Sequence, residues 1–448
     1  MSWHPVRTMS AATSSGRTPS DLTSAAVRVL ERNWTGSHTL PATGLYPHQW
    51  SWDSAFIAVG LRHVAPARAQ QELESLTRGQ WADGRIPQIV YDVRRDDDYA
   101  PGASFWASPR IDPPPPVPTA GLVQPPNHAW AAWLVHQADT AASVARGFLP
   151  RLYPRLVAWH EYLRTRRDHG GRGLASVIHP WESGMDNLPL WDGALAPVPG
   201  TPTTVLGRPD LQHADLTERP SQKEYGKYFW LAEHYRDRGC DDTDGLDRFV
   251  AEDPTFNTLW AASEEALARI AEVAGADPEP HLARAAAITA ALESLYDDRL
   301  GLYVAHDVVR DEPIRKATVS GLTPLLLADL PHAEQVLATL DGPRFLGDDP
   351  LMVPSYDVTA DDFRPSQYWR GPAWFNMTWL VVQGLRRHGR TGTADALSAH
   401  TRRLAVEHGF PEYVHPFTGA PHGARSFSWT AALALDLEAS DGGVAGPA

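Results

Sequence analysis

The chain has 448 residues and is 43% hydrophobic, which is enough for one large domain or two to three ordinary ones with a sizeable core. Its 54 acidic residues outnumber its 40 basic ones, so the formal net charge is −14 and no diffuse positive field is available to hold the phosphates of a nucleic acid. A single cysteine, Cys240, excludes an intramolecular disulfide and a cysteine-rich zinc site.

The two ends of the chain have the composition of tails. Residues 1–20 lack the apolar core of a signal peptide, and residues 439–448 are mostly small or polar. No run of eighteen uninterrupted apolar residues occurs anywhere in the sequence. We therefore expect flexible tails at 1–20 and 439–448, a cytoplasmic protein, and no membrane or nucleic-acid partner.

Helical periodicity dominates the sequence from residue 21 onwards. The first pattern places Leu22, Ala26 and Val29 on one stripe, as in an amphipathic helix. Similar patterns predict helices at 21–33, 52–63, 66–78, 127–138, 142–167, 221–238, 255–274, 278–297, 318–329, 333–341, 373–388, 391–407 and 427–437. Strand patterns are few, at 86–93 and 302–309, and the absence of alternating βαβ units argues against a doubly wound sheet.

The connections between these helices indicate one domain. A Pro-rich stretch at 110–121 is typical of a stiff excursion between helices, and no low-complexity linker divides the chain. Pairs of helices with polar residues in their joining loops predict an all-α domain over 21–438. We expect a toroid of antiparallel helices with small loop or hairpin excursions.

Tryptophan and carboxylate residues are unevenly distributed and cluster in five loops at helix ends, which together hold eight of the seventeen tryptophans. These loops are 45–55, 122–130, 179–192, 364–379 and 408–423, and each combines aromatic rings, acid or amide groups, and Pro or Gly. The C–H faces of a sugar stack on Trp and Tyr, and its hydroxyls need fixed donors and acceptors. The clustering therefore favours a sugar-binding pocket.

Glycoside hydrolysis requires two carboxyl groups, one protonated and one ionised. The loop 179–192 supplies Glu182, Asp186 and Asp192 as candidates, and the loop 408–423 supplies Glu412. Taken singly, an Asp in such a loop is more often a turn former or a helix cap. The repetition of the same residue mixture in five loops favours the functional interpretation, although these residues alone do not say which acid keeps its proton.

Other chemistries find little support in the sequence. The motifs HExxH, GxxxxGK[ST] and GxSxG are absent. The stretch DDTDG at 241–245 lacks the later ligands of an EF-hand, so an acidic turn is favoured over a calcium site. We expect no metal and no cofactor.

The segments YPHQWSWDSAFIAVGL (46–61), HPWESGMDN (179–187), RPSQYWRGPAWFNMTWLVVQGL (364–385) and FPEYVHPFTGAPHG with SWTAA (410–432) resemble glycoside hydrolase family 63. Within that family they are most similar to the bacterial glucosylglycerate and mannosylglycerate hydrolases. The resemblance covers about residues 20–438. It implies an (α/α)6 barrel and hydrolysis of an α-linked terminal sugar with inversion.

The resemblance also implies roles for individual residues. Asp186 is similar to the general acid and Glu412 to the general base, with carboxyls roughly 6.5–9.5 Å apart in an inverting enzyme. The positions matching the sugar pocket are Tyr46, Trp50, Trp52, Asp53, Gln124, Trp181, Gly184, Tyr368, Trp369 and Trp374. Arg219 and Tyr225 match contacts to an acidic aglycone, Tyr99 is expected at the mouth, and the loop 96–121 is a candidate lid.

One position departs from the pattern of the glycerate hydrolases. Phe427 stands where they carry a polar Gln, and its ring cannot hydrogen-bond a carboxylate or hydroxyl. The leading hypothesis is an inverting exo-α-glycosidase for glucosylglycerate, with mannosylglycerate second. The alternatives are an α-glucosidase for a small neutral disaccharide such as kojibiose or trehalose, and a non-catalytic sugar-binding protein. The sequence does not decide between glucose and mannose, nor between a monomer and a homo-oligomer.

Overall fold

A computed structural model describes residues 21–202, 208–212, 215–243, 246 and 248–441. Within these ranges the α-helices are α1 Asp21–Arg32, α2 Ser51–Leu61, α3 Pro66–Thr77, α4 Ala103–Trp106, α5 His128–Ala138, α6 Thr140–Arg146, α7 Phe148–Arg166, α8 Asp192–Leu195, α9 Gln222–Asp237, α10 Pro254–Ala274, α11 Glu279–Leu292, α12 Ala333–Leu340, α13 Phe375–Arg387, α14 Thr391–Glu407 and α15 Ser428–Asp441. The predicted tail at 1–20 lies outside the described residues. The last helix continues three residues past the predicted domain end at 438.

The strands are short and antiparallel. They are β1 Gln49–Trp50, β2 Ile89–Val90, β3 Ser176–Val177, β4 Ala251–Glu252, β5 Tyr296–Asp297, β6 Leu302–Tyr303, β7 Ala305–Asp307, β8 Glu312–Ile314, β9 Ala373–Trp374, β10 Tyr413–Val414 and β11 Pro421–His422. Four small sheets result, in the orders β1-β2, β3-β4-β7-β8, β5-β6 and β11-β10-β9. Among the described strands, β5-β6, β7-β8 and β10-β11 are hairpins, whereas the other pairs join segments that are distant in the sequence.

Six helical segments form a closed inner ring. In order around the ring they are α2, α5, α10, a 3-10 helix at Val319–Leu326, α13 and α15, and α15 packs back on α2. Six outer helices cover them, with α1 on α15, α3 on α2, α7 on α5 and α10, α11 on α10, α12 on the 3-10 helix and α14 on α13. The fold is therefore the all-α barrel that the sequence predicted.

Hydrophobic patterning separates the inner helices from the outer ones. Every residue of α2 is buried, as expected for a helix that is enclosed on all sides. The outer helix α1 instead buries one stripe, which includes Ala26, Val29 and Leu30. The difference in burial is consistent with α2 in the inner ring and α1 outside it.

Three predicted elements require correction. The predicted helix 318–329 is a 3-10 helix, and Pro324 inside it lacks the backbone N–H of an α-helical hydrogen bond. The predicted helix 142–167 is two helices, because Gly147 adopts a left-handed conformation with φ 59° between α6 and α7. The predicted helix 278–297 ends at Leu292, after which the chain forms a short 3-10 turn and β5.

The predicted strands are shorter than their patterns. Only Ile89–Val90 of the segment 86–93 forms a strand, and the segment 302–309 divides into β6 and β7, which belong to different sheets. None of the described helices combines the length and the hydropathy needed to cross a membrane. The inner helices α2, α5, α13 and α15 all begin beside one pocket.

Candidate active site

A pocket of about 770 Å³, including its open mouth, lies at the N-terminal ends of the inner helices. All fifteen residues to which the family resemblance gave a catalytic or substrate-binding role line this pocket. Seven further lining residues are Gln88, Ala100, Pro209, Asp210, Pro220, Phe427 and Trp429. The structure thus brings together side chains that are distributed from residue 46 to residue 429 in the sequence.

The pocket wall is largely aromatic. Trp369 stacks on Trp374 with ring centroids 3.7 Å apart, and Trp374 stacks on Tyr413 at 4.5 Å. The indole N–H groups of Trp50, Trp369 and Trp429 are buried and have no hydrogen-bond partner among the described residues. A buried donor without a partner costs about 1–3 kcal/mol, so a ligand with oxygen acceptors would stabilise any of these groups that it reaches.

Asp186 is held in the pocket by its backbone and by the turn before it. Gly184 adopts φ 72°, and a Cβ atom there would lie 2.4 Å from the ring of Trp52, so only glycine permits this approach. The hydroxyl of Tyr228 donates a 2.8 Å hydrogen bond to the carbonyl oxygen of Asp186. Burial raises the pKa of the Asp186 carboxyl to about 7, although Arg219 opposes this shift. Asp186 can therefore hold a proton near neutral pH.

The two other acidic candidates of the same loop lie elsewhere. Glu182 is fully buried, pairs with Arg167 at 2.7 Å and accepts hydrogen bonds from the backbone of Val123 and Ile178. Asp192 is half exposed and pairs with Arg370 at 2.7 Å. Neither residue lines the pocket, so Asp186 is the one acid of this loop with access to a ligand there.

Glu412 lies at the start of β10 and is 2% exposed. Its Oε1 accepts a 2.8 Å hydrogen bond from the hydroxyl of Tyr46, and its Oε2 accepts one of 2.9 Å from the backbone N–H of Ala424. Burial raises the pKa of Glu412, while the nearby Arg219 and these two hydrogen bonds favour its charged form. The carboxyl is thus fixed in orientation with both oxygens partnered.

Two polar groups lie among the rings of the sugar pocket. Asp53 is in the first turn of α2, where burial and the nearby Glu412 hold its pKa well above its ordinary value. A protonated Asp53 can donate as well as accept a hydrogen bond. Gln124 accepts a 3.3 Å hydrogen bond from the backbone N–H of Trp52 through its Oε1, which fixes its amide beside the pocket.

The cationic side of the pocket is built around Arg219. Its guanidinium donates to Asp210 at 3.3 Å and to the hydroxyl of Tyr46 at 3.1 Å, and it lies 4.2 Å from the ring centroid of Tyr368. Asp210 is also bound by Arg208, at 2.7 Å, so two arginines share one carboxylate. Arg219 also lies near Glu412, and it is the cationic side chain of the pocket lining that an acidic ligand could pair with.

Two tyrosines of the pocket lining contact the loop that is the candidate lid or its neighbours. The hydroxyl of Tyr225 donates a 2.9 Å hydrogen bond to the carbonyl oxygen of Ala100, in the loop that is the candidate lid. Tyr99 packs edge-on against Trp50 with centroids 5.4 Å apart. These contacts attach the loop 96–121 to the pocket at residues 99 and 100.

Sequence reasoning missed Asp210, Arg208 and Trp429 as parts of this site. Trp429 belongs to the SWTAA segment, which is one of the segments that resemble family 63, so the sequence could have indicated it as a pocket residue. Asp210 and Arg208 lie in a loop without hydrophobic periodicity, and only their contact with Arg219 and Tyr225 reveals them. Phe427 is 2% exposed and lies edge-on to Tyr46 at 5.8 Å, so the departing residue is part of the wall.

The remaining polar candidates lie outside the pocket. Cys240 is buried, and burial raises the pKa of its thiol to about 12. Asp242 of the DDTDG stretch pairs with Arg85 at 3.0 Å and with Arg167 at 3.3 Å, whereas residues 244 and 245 lie outside the described residues. No group of three or more potential metal ligands occurs within the part of the chain that the structure describes.

Comparisons with known proteins agree with this geometry. The sequence profile of the mannosylglycerate hydrolase MGH1-like glycoside hydrolase domain matches residues 46–430. A mannosylglycerate hydrolase of Rubrobacter radiotolerans is 39% identical over 93% of this chain and 96% of its own length. A glucosylglycerate hydrolase of Mycolicibacterium hassiacum is 37% identical over 94% of this chain and 98% of its own length.

The solved structures include a family 63 enzyme of the same shape. The crystal structure of the GH63 mannosylglycerate hydrolase from Thermus thermophilus in complex with Tris and D-glycerate superimposes with a TM-score of 0.86 at 37% identity. The match covers 93% of this chain and all of that chain. The resemblance inferred from the Trp-rich loops is thereby confirmed, and the chain belongs to the mannosylglycerate hydrolase MGH1-like group of glycoside hydrolase family 63 and is a glycoside hydrolase.

Proposed function

We propose that this enzyme hydrolyses the α-glycosidic bond of glucosylglycerate with inversion, and that mannosylglycerate is the second candidate substrate. The observation that carries the proposal is the joint placement of Asp186, Glu412 and Arg219 in one aromatic pocket. Two carboxyls supply the acid and the base, and the guanidinium supplies the counter-charge for glycerate.

The proposed roles follow from the electrostatics of the two carboxyls. Asp186, with a pKa of about 7, protonates the departing glycosidic oxygen. Glu412 has Arg219 nearby and two hydrogen-bond donors on its oxygens, so its charged form is favoured and it removes a proton from the attacking water. The water attacks the anomeric carbon from the face opposite the leaving oxygen, which converts an α-glycoside into a β-sugar.

The sugar ring fits the aromatic part of the pocket. Its C–H faces would contact the stacked Trp369 and Trp374, and its hydroxyls would accept from the buried indole N–H groups. Asp53 and the amide of Gln124 supply further polar contacts. A compact pocket of this kind suits one terminal sugar and a small aglycone.

The relatives named as mannosylglycerate and glucosylglycerate hydrolases support an acidic aglycone. In this chain Arg219 is buried at 7% exposure, and a carboxylate there would be paired instead of left uncompensated. The ring of Tyr225 lies 4.0 Å from the guanidinium of Arg208, which shares Asp210 with Arg219. We assign these two side chains to the glycerate.

Phe427 supports a second candidate, an α-glucosidase for a small neutral disaccharide such as kojibiose or trehalose. The ring packs 4.8 Å from Trp429 and edge-on to Tyr46, and it offers no hydrogen bond to a charged aglycone. A neutral ring could contact this apolar surface. The guanidinium of Arg219 in the pocket lining favours the acidic aglycone over this alternative.

The direct test is a product assay. We would incubate the enzyme with α-glucosylglycerate, α-mannosylglycerate, kojibiose, trehalose and isomaltose, and follow the first-formed anomer by proton NMR. Release of the β-sugar from glucosylglycerate at the highest kcat/KM is the expected result. Release of the α-anomer would contradict inversion, and preferential turnover of a neutral disaccharide would contradict the glycerate assignment.

Two variants with matched controls test the catalytic pair. Asp186→Asn and Glu412→Gln are each expected to lower kcat at least a thousandfold. Asp192→Asn and Glu407→Gln change acids that are ion-paired at the surface, at 2.7 Å and 2.9 Å, and should retain activity. Retention of near-normal kcat by either variant of the pair would remove that residue from the mechanism.

Cellular location and assembly are proposals of a different kind. We propose a cytoplasmic enzyme because its one cysteine cannot form an intramolecular disulfide. A homo-oligomer stays a prediction that sedimentation equilibrium would test directly.

A further inference from the structure

The Arg219 segment (residues 215–220) and the Glu412 hairpin (residues 412–424) are joined by a carboxylate–imidazole contact outside the pocket. Glu218, which precedes Arg219, pairs through Oε1 with Nδ1 of His422 at 2.7 Å. Its Oε2 accepts a 3.1 Å hydrogen bond from the backbone N–H of Gly423. The Glu218 backbone carbonyl accepts a further 2.9 Å hydrogen bond from the hydroxyl of Tyr413. Three contacts therefore converge on one residue.

These contacts belong to a closed ring of hydrogen bonds and peptide bonds that includes both Glu412 and Arg219. Gly423 precedes Ala424, whose N–H donates to Oε2 of Glu412. On the other side of the carboxyl, Oε1 of Glu412 accepts from Tyr46, and the Tyr46 hydroxyl accepts from Arg219. Arg219 is joined to Glu218 by one peptide bond, so the chain of contacts returns to its starting point.

The second observation is a column of rings that ends at His422. Trp369 and Trp374 stack at 3.7 Å, Trp374 and Tyr413 at 4.5 Å, and Tyr413 and His422 at 5.9 Å. The interplanar angles along the column are 2°, 25° and 24°. His422 thus links the sugar-binding wall to the carboxylate that precedes Arg219.

Electrostatics favour the ionised form of Glu218 in this arrangement. Burial opposes ionisation, but the hydrogen bonds from His422 and from the N–H of Gly423 hold the pKa of Glu218 below its ordinary value. The side chains of Glu218 and His422 are 22% and 15% exposed, so water screens the pair only in part. The carboxylate is therefore available as an acceptor throughout the neutral pH range.

We propose that Glu218 and His422 are positioning residues that fix Arg219 relative to Glu412, and so couple the binding of an acidic aglycone to the orientation of the base. This inference rests on the proposed function. Neither side chain lines the pocket, and both act through the backbone segments that they join. Loosening the pair moves the Arg219 segment and the hairpin apart, which weakens aglycone binding and slows the step that needs Glu412.

The test compares Glu218→Ala, His422→Ala and the double variant with wild type. We expect each single variant to lower kcat and to raise KM for the acidic-aglycone glycoside, with kcat/KM reduced at least tenfold. A neutral-aglycone glycoside should show the decrease in kcat with a smaller rise in KM. The double variant should lose no more than about threefold beyond the worse single variant, because the two residues act as one unit.

A conservative variant and a matched control separate positioning from general stability. Glu218→Gln keeps an oxygen acceptor for Gly423 and a polar contact to His422, and should restore kcat/KM to within threefold of wild type. His332 pairs with Glu293 at 3.2 Å and stacks on Tyr296, and none of these residues lines the pocket, so His332→Ala removes a similar pair. This control should retain wild-type kcat and KM.

Hydrogen exchange followed by mass spectrometry tests the coupling independently of turnover. In Glu218→Ala and His422→Ala, amides of 215–220 and 421–426 should exchange faster together, and those segments should be unchanged in His332→Ala. Exchange that increases in only one segment, or kcat and KM within twofold of wild type, would overturn the proposal. A different outcome is that the wild-type enzyme hydrolyses none of the glycosides, while both segments still exchange faster together in the two alanine variants. That outcome would contradict the proposed function and leave the coupling supported.

Discussion

The Tyr46 hydroxyl donates a 2.8 Å hydrogen bond to Oε1 of Glu412. Because this bond stabilises the charged carboxylate, Tyr46→Phe should raise the pKa of Glu412 further. Hydrogen bonds to charged groups are worth about 1.5–3 kcal/mol, so kcat should decrease roughly tenfold to a hundredfold. The acid limb of the pH profile should move to higher pH, since a base with a higher pKa is protonated earlier as the pH falls.

The control for Tyr46→Phe is Tyr303→Phe. This substitution removes a buried hydroxyl that donates a 2.6 Å hydrogen bond to Glu293, and neither residue lines the pocket. Its pH profile should coincide with that of wild type. An unshifted acid limb in Tyr46→Phe would show that the hydroxyl does not tune Glu412.

If Asp186 is the general acid, its pKa should set the alkaline limit of activity. The acid must be protonated, so kcat/KM should decline as the pH rises through about 7. Glu412 must be ionised, so activity should also decline at low pH, at a point above the ordinary Glu value of 4.5. A bell-shaped profile of kcat/KM is the expected measurement. A profile that stays flat from about pH 6 to about pH 9 would contradict the role of Asp186.

The same shift predicts a stability effect. The folded pKa of Asp186 lies above its ordinary value of 3.8, so the folded state binds the proton more tightly. Stability from this group is therefore lost as the pH rises from about 4 to 7, and it stays lost above 7. Asp186→Asn removes the penalty and should raise Tm at about pH 8 by more than at about pH 4. An equal Tm change at both pH values would contradict a buried, protonated Asp186.

Gly423 is a position where a single methyl group should disable the base. It adopts φ 65°, and a Cβ atom there would lie 2.4 Å from Oε2 of Glu412. We expect Gly423→Ala to lower kcat at least a hundredfold by displacing the carboxyl. Gly389→Ala is the matched control, because Gly389 has φ 70° and a Cβ atom there would have no neighbour within 4 Å. Both variants carry about 1–2 kcal/mol of backbone strain, and only the first should lose activity.

Arg219 separates the two candidate substrate classes. Arg219→Ala should raise KM for glucosylglycerate by at least tenfold more than KM for a neutral glucoside, because a carboxylate loses its counter-charge. A decrease in kcat on both substrates is also expected, since Arg219 donates to Tyr46. Arg344→Ala, which removes a surface pair with Asp357 at 3.3 Å, should leave the KM ratio unchanged. An unchanged ratio in Arg219→Ala would favour a neutral aglycone.

Much of this architecture was predictable from local patterns. Apolar stripes located most of the outer helices within a few residues, whereas the assignment of α2 to the inner ring came from the structure. The inner 3-10 helix at Val319–Leu326 was predicted as an α-helix, because an apolar run does not distinguish the two conformations. Gly147 gave a usable break signal that the long pattern 142–167 obscured.

The residues of the site that lie in recognisable sequence motifs were predictable. Trp-rich loops gave the aromatic wall, and the resemblance to family 63 selected Asp186 from three acids in one loop. The structure is consistent with that selection, because Glu182 forms an ion pair with Arg167 and Asp192 forms one with Arg370. Asp210, Glu218 and His422 could not be found from the sequence, because their contacts depend on how the loops fold together. The catalytic roles themselves stay predictions until the variants are measured.

The closure of the inner ring by α15 against α2 has a consequence for biosynthesis. Trp429 lies at the beginning of α15, whereas Tyr46 and Trp50 lie just before α2, so the pocket needs both segments at once. A nascent chain that still holds α15 inside the ribosome has neither a complete ring nor a complete sugar site. Enzymatic activity should therefore emerge late and abruptly during translation, which makes it a sensitive reporter of co-translational folding in this barrel.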